Sequence, residues 1–173
     1  LPLAANFEGG DVVECDRTRL PEDVGDHQHA PGVHRVALEQ RLADGQVDLR
    51  GSESELVSAF TNLVANAVRY TPAGGTVNIR WQADVHGAEF AVQDSGIGID
   101  AKHIPRLTER FYRVDRGRSR DAGGTGLGLA IVKHSLSRHQ AQLEIKSTPG
   151  IGSRFAAHFP ANRVAGLQPP SRP

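Results

Sequence analysis

The chain has 173 residues, 38% hydrophobic and 23% charged, a globular composition long enough to bury one core. Twenty basic residues cancel twenty acidic ones, which argues against a nucleic-acid partner, and the one cysteine, Cys15, excludes an internal disulfide and suits a reducing compartment. There is no run of about 18 apolar residues and no signal-peptide pattern. Because the chain starts at Leu1 and lacks methionine, it is expected to be part of a longer protein, and it is silent about that protein's membrane attachment.

Residues 1–11 read as a lead-in to a single domain over 1–160. "LPEDVGDHQHA" suggests a short helix with Pro21 in its first turn, weakened by Gly25 and closed by Pro31–Gly32. Val36, Leu38, Gln40 and Leu42 alternate, the chain turns at Asp44–Gly45, and Val47 and Leu49 resume the pattern, which predicts a β-hairpin. "SESELVSAFTNLVANAVRYT" predicts the strongest helix. Ser52 and Glu55 have the spacing of a capping box, and Leu56, Phe60, Leu63, Val64 and Ala67 make an apolar stripe. Two strands follow near Thr76–Ala83 and Ala88–Gln93, then a short helical segment near Ala101–Leu107. Residues 108–124 show no period, and a loop of that length inside one domain is usually functional. A helix over Leu127–Arg138 and strands over Leu143–Ser147 and Ser153–Phe159 complete the domain, and residues 161–173 read as a disordered tail. The fold class is α+β, a two-layer α/β sandwich.

The run "GGTGLGLA", Gly123 to Ala130, sets glycines against a helix start, where each costs about 1 kcal/mol relative to alanine. A phosphate-bearing ligand could offset that cost, and a plain flexible turn is the alternative. No P-loop string occurs, and the run follows a charged loop rather than a strand, so a dinucleotide-binding turn fails too.

Three other stretches bear on the choice. Asn62, Asn66, Arg69 and Tyr70 fall on one helix face. Amide oxygens suit Mg2+ and a guanidinium suits phosphate, although a solvated polar face would read the same. In "QDSGIGI", Asp94 ends a strand and could accept a hydrogen bond from an exocyclic amine, while Gly96 and Gly98 would let a flat ring approach the backbone; an Asx turn is the bland reading. In "ERFYRVD", Phe111 and Tyr112 could plug a loop onto the core and aim Arg113 at a terminal phosphate.

In this order, "NLVANAVRY", "DSGIG", "RFYR" and "GGTGLGL" resemble the N, first glycine, F and second glycine boxes of the catalytic ATP-binding domain of sensor histidine kinases, kin to gyrase and MutL. The likeness covers roughly residues 47–160. "HIPRLTERFYRVD", "RSR" and "GLGLAIVKH" look most like the phosphate-regulon branch in proteobacteria.

The resemblance implies a mixed sheet beneath about three helices, with ATP held between a helix and a lid. It implies that Asn66, with Asn62 nearby, holds Mg2+, that Arg69 touches phosphate and that Tyr70 contacts the nucleotide. Asp94 would bind the adenine amine, with Gly96, Gly98, Ile99 and Phe111 around the base. Arg113 would reach the γ-phosphate, and Gly124, Thr125, Gly126, Leu127 and Gly128 would hinge the lid and hold the triphosphate. The catalytic set would be Arg113, Asn66 and Arg69.

Departures from the family pattern exist. Arg69 stands where lysine is common, and "HQAQLEI" stands where His-Gly-Gly is frequent, so that turn is expected to be made differently. None of the eight histidines sits in a phosphoacceptor string, and His27, His29 and His34 are read as surface residues rather than a metal site. The phosphoacceptor and dimerisation domain would be a separate, absent part of the same protein. This piece is therefore expected to bind ATP without autophosphorylating alone, and to dimerise only in the full-length protein. A response regulator would receive the phosphoryl group, in the cytoplasm of a membrane-anchored bacterial kinase. A non-catalytic nucleotide sensor and an ATPase clamp remain the alternatives.

Overall fold

Alternation along the strands gives the sheet a face of large apolar side chains, and that face carries both helices. The computed structural model of the chain describes residues 35–42, 48–114 and 125–165. The expected early helix near Pro21, Cys15, His27, His29, His34, the turn at Asp44–Gly45, Gly124 and the chain beyond 165 lie outside the described residues.

Strands β1 (Arg35–Leu42), β3 (Thr76–Asp84), β4 (Gly87–Asp94), β5 (Gln142–Thr148) and β6 (Gly152–Pro160) form one sheet in the order β1-β3-β4-β6-β5. Only β1 and β3 pair in parallel, so the sheet is mixed as expected. Register aligns Val77, Ile79, Trp81 and Ala83 of β3 with Asp94, Val92, Phe90 and Ala88 of β4. The same rows continue through Ser153, Phe155, Ala157 and Phe159 of β6. The apolar members of these rows make the core with helices α1 (Glu53–Tyr70) and α2 (Gly128–Arg138). Leu56, Ala59, Leu63 and Ala67 recur at helical spacing and are the buried side of α1. Phe60 stacks on Phe90 with centroids 4.1 Å apart and meets Phe159 edge-on at 6.1 Å. The opposite sheet face is polar, with Arg154 bonded to Glu89 at 2.6 Å.

The expected hairpin does not form. β1 pairs with β3, whereas the two-residue β2 (Asp48–Leu49) pairs antiparallel with β7 (Val164–Ala165). Alternation identified strand-forming residues, but it carries no information about the partner. The same pairing moves the expected start of a disordered tail: a 3-10 turn over Ala161–Arg163 and then β7 continue the fold, and Val164 is in the core. Among the described residues there are two α-helices, and the segment Ala101–Arg106 is a 3-10 turn because Pro105 cannot donate the bond an α-helix needs.

The capping box is also absent. Ser52 is the N-cap residue of α1, but its side chain makes no capping bond, and its backbone N–H donates to His139 Nε2 at 2.9 Å. Glu55 is drawn instead to Arg138, 2.9 Å away at the end of α2. His139 is buried, its Nδ1 lying 2.7 Å from the Ser135 carbonyl oxygen. The two helices therefore run antiparallel and are fastened where α1 begins and α2 ends.

α2 stops in a Schellman turn: Ala141 N–H donates to Leu136 O at 2.8 Å and Gln140 N–H to Ser137 O at 3.1 Å. Gln140 takes the left-handed conformation, φ 57°, that glycine would adopt freely. The turn keeps the usual geometry with an unusual residue. Gln140 Oε1 accepts from Asn162 Nδ2 and Arg163 Nε, both at 3.2 Å, so the side chain ties down the 3-10 turn before β7.

Candidate nucleotide site

The C-terminal end of α1, the loop after β4 and the β5–β6 turn interlock through backbone contacts. Tyr70 O accepts from Ile97 N–H at 3.2 Å, and Ile97 O accepts from Gly150 N–H at 2.8 Å. A Cβ on Gly96 would overlap the Tyr70 carbonyl and stand 2.7 Å from Asp94 Oδ1. A Cβ on Gly98, whose φ is +65°, would overlap the Thr148 carbonyl. Both glycines are thus required by neighbouring backbone, whatever ring approaches them.

Asp94 ends β4 and is 7% exposed. Its Oδ1 accepts from Gly96 N–H at 2.8 Å and Ser153 N–H at 3.3 Å. Burial raises its pKa, and the two N–H donors partly offset the rise. Both bonds end on Oδ1, which leaves Oδ2 to accept from a ligand. An exocyclic amine is one donor that would suit that acceptor.

A hydroxyl pair supports this end of the sheet. Ser147 Oγ accepts from Ile99 N–H at 2.8 Å, donates to Gly152 O at 3.0 Å and lies 2.9 Å from Ser153 Oγ. Ile99 packs half-buried against the core. Neither serine was picked out by motif. The signal was their register, since Ser147 and Ser153 are cross-strand partners and Ser153 also faces Asp94.

On α1, Asn66 lies one turn before Tyr70, and Arg69 and Tyr70 are exposed. Half-buried Asn66 makes no side-chain hydrogen bond with another described residue, so its neutral oxygen is available to Mg2+, which takes only one or two protein ligands. Asn62 differs, because its Nδ2 donates to Ser58 O at 2.8 Å and its Oδ1 faces Gly128. Leu127 precedes α2 as its N-cap residue and its carbonyl accepts from Ile131 N–H at 2.9 Å. The backbone N–H groups of the first turn of α2 suit phosphate oxygens.

Phe111 does not plug the core; it is 69% exposed with φ 64°. Its N–H donates to Gly126 O at 2.9 Å, and a Cβ on Gly126, φ +72°, would stand 2.9 Å from Phe111 Cα. This contact brings residue 126, ahead of α2, against the backbone of Phe111. The anchoring aromatic is Tyr112, whose Oη lies 2.6 Å from His103 Nδ1 while Arg106 covers its ring at 4.4 Å. Arg113 is half-buried next in sequence. Asp94, Gly96, Gly98, Ile99 and Tyr70 are therefore brought together at one end, and Asn62 meets Gly128, and Phe111 meets Gly126, at contacts of their own. Among the described residues no three His, Cys, Asp or Glu side chains form a metal cluster, and no helix is long and apolar enough to cross a membrane.

Residues 51–163 match the family model described as histidine kinase-, DNA gyrase B-, and HSP90-like ATPase. The chain is 61% identical over 132 residues to the phosphate regulon sensor protein PhoR of Pseudomonas aeruginosa, covering 76% of this chain and 29% of that protein. It is 48% identical over 114 residues to PhoR of Haemophilus influenzae, covering 66% of this chain and 27% of the relative. The chain thus spans less than a third of these two relatives. Among solved structures it is similar to the mycobacterial sensor histidine kinase MprB, with a TM-score of 0.60, 29% identity and coverage of 78% of this chain and 84% of that one. It is also similar to full-length ShkA in complex with AMPPNP, with a TM-score of 0.61, 25% identity and coverage of 79% of this chain and 27% of that one. The mixed sheet under two helices, the buried Asp94 at the end of β4 and the family match over most of the chain lead to one conclusion: this protein belongs to the histidine kinase-, DNA gyrase B- and HSP90-like ATPase family.

Proposed function

We propose that this chain is the ATP-binding catalytic domain of a two-component sensor histidine kinase and that it delivers the γ-phosphoryl group of ATP to a histidine in another domain of the same protein. The observation that carries the reading is Asp94: a buried carboxylate with one oxygen saturated by backbone N–H groups and the other left for an amine. α1 relates that base site to the phosphate site. Tyr70 meets the Asp94 loop and Asn62 meets the start of α2, and the eight helical steps from one to the other rise about 12 Å.

In this reading Asp94 orients the base, and Ile99 and Phe111 flank it. Asn66 holds Mg2+, Arg69 and the first turn of α2 hold phosphate oxygens, and Arg113 faces the γ-phosphoryl. A bound Mg2+ would supply neutralising charge at the phosphates. Catalysis by this chain is positioning and electrostatic stabilisation, and no general base is needed within it. The high identity to PhoR proteins supports phosphate-starvation signalling through a response regulator as the output. Dimerisation and membrane attachment would belong to the full-length protein.

The test mixes the chain with labelled ATP, Mg2+ and the phosphoacceptor domain of the same protein. Label is expected on that domain's histidine, and Arg113→Ala is expected to abolish labelling while nucleotide binding persists. Bound nucleotide without label would indicate a sensing module instead, and steady hydrolysis without transfer would indicate an ATPase clamp.

A further inference from the structure

We propose that Asn62 is a positioning residue rather than a metal ligand: its carboxamide is a fixed spacer that sets the gap between α1 and the first turn of α2, and Gly128 is glycine because that amide stands against it. A Cβ built on Gly128 would lie 2.7 Å from Asn62 Oδ1, 3.6 Å from Asn62 Cγ and 3.9 Å from Asn62 Cβ. All three nearest atoms belong to one side chain, so Asn62 is what a side chain at position 128 would meet.

A clash with the end of a free side chain is relieved by rotation, but this amide is tied. Its Nδ2 donates to Ser58 O at 2.8 Å, one turn earlier on its own helix. Rotating the side chain to admit a methyl group would break that bond. The remaining oxygen faces α2. An amide with one end bound to α1 and the other set against α2 is a strut.

Its location gives the strut a purpose. The far ends of these antiparallel helices are fastened by Glu55 with Arg138 and by Ser52 N–H with His139 Nε2. Those contacts fix the helices where α1 begins. Asn62 fixes the separation two turns further along, where α2 begins. Asn66 follows one turn later, so the strut sets how far the Asn66 amide stands from the N–H groups at the start of α2. This step rests on the nucleotide-binding reading, because a correct gap matters when both elements must hold one triphosphate.

The experiment is a double-mutant cycle on the 173-residue chain: Asn62→Ala, Gly128→Ala and the pair together, each measured for thermal unfolding and for ATP affinity with Mg2+ and with EDTA. Gly128→Ala is expected to lower the melting temperature and to weaken ATP binding by about tenfold, the scale of an overpacked contact. In the double variant most of both losses should be recovered, since the added methyl occupies space the amide has left. Asn62→Ala alone should weaken ATP with EDTA as well as with Mg2+, because the displaced start of α2 is needed in both conditions. The proposal is overturned if Gly128→Ala costs the same in both backgrounds, or if Asn62→Ala weakens binding only when Mg2+ is present. A Gly128→Ala protein that unfolds outright but folds again with Asn62→Ala supports the strut; one that stays unfolded overturns it. If the wild-type chain takes up no nucleotide, the functional reading fails, and the melting cycle still tests the contact by itself.

Discussion

Replacing Asp94 by asparagine separates its two oxygens. In the native rotamer the amide carbonyl can keep the bonds from Gly96 N–H at 2.8 Å and Ser153 N–H at 3.3 Å, so the fold around it is preserved. The change falls on the other position, where an acceptor becomes an NH2 donor facing the adenine amine. The loss is a hydrogen bond to a charged acceptor, about 1.5–3 kcal/mol, plus a desolvated donor left opposing another donor, about 1–3 kcal/mol. Taking about 3–4 kcal/mol for both gives a fall in ATP affinity on the order of a hundredfold to a thousandfold. Stability should not fall with it, because burial already disfavours the Asp94 charge. GTP should suffer less than ATP, since its ring carbonyl accepts from the new amide. Isothermal titration with both nucleotides and a thermal melt of each protein provide the readout. If the Asp94→Asn variant binds ATP within about threefold of wild type, less than 1 kcal/mol, Asp94 does not hold the base.

Protonation of Asp94 should move its contributions to stability and to ATP affinity in opposite directions. Asp94 has its folded-state pKa raised, so its stabilising contribution is present below the unfolded-state pKa and is lost as pH rises through the folded-state value. ATP affinity should instead drop as protonation turns Oδ2 into a donor; comparing nucleotide affinity and urea midpoints across the carboxylate range, in wild type and Asp94→Asn, checks the sign of each. At the end of α2, Gln140→Ala should destabilise by about 1 kcal/mol, because it keeps the left-handed backbone and loses the bonds to Asn162 and Arg163. Gln140→Gly relieves the backbone while losing the same bonds and should be near neutral by urea denaturation; equal losses in both variants would refute this balance. Gly98→Ala should cost more than about 2 kcal/mol, since it adds overlap with the Thr148 carbonyl to a positive φ. Gly74→Ala, at φ +79° with nothing within 4 Å, should cost only about 1 kcal/mol, and the difference between the two measures the overlap.

Most of the fold was legible because its strands and long helix carry their period openly. Val77, Ile79, Trp81 and Ala83 alternate, and of the expected stripe Leu56, Leu63 and Ala67 are buried while Phe60 and Val64 pack partly buried beside them, with Ala59 added to the buried side. What sequence position could not show was pairing between distant segments. The β1 residues pair with β3, and Asp48–Leu49 waits for Val164–Ala165, more than a hundred residues away. The capping box failed for the same reason: Ser52 and Glu55 had the right local spacing, but α2 offered His139 and Arg138 as stronger partners. Local rules describe local competition, and both misses were decided by a segment outside it.

The site shows the same division within its glycines. Read along the chain, Gly96, Gly98, Gly126 and Gly128 look like room left for a ligand. In the structure each is occupied from the protein side: Gly96 by the Tyr70 carbonyl, Gly98 by Thr148, Gly126 by the Phe111 backbone and Gly128 by the Asn62 amide. None of those neighbours is visible from a spacing rule, because each comes from a different element. The glycines let α1, the loop after β4, the β5–β6 turn and the start of α2 come within van der Waals distance of one another, and the acceptor on Asp94 and the amide of Asn66 owe their setting to that approach. The motif residues therefore divide into those that would touch a nucleotide and those that hold the former in place. A substitution in the second group should lower nucleotide affinity and fold stability together, whereas Asp94→Asn should lower affinity alone.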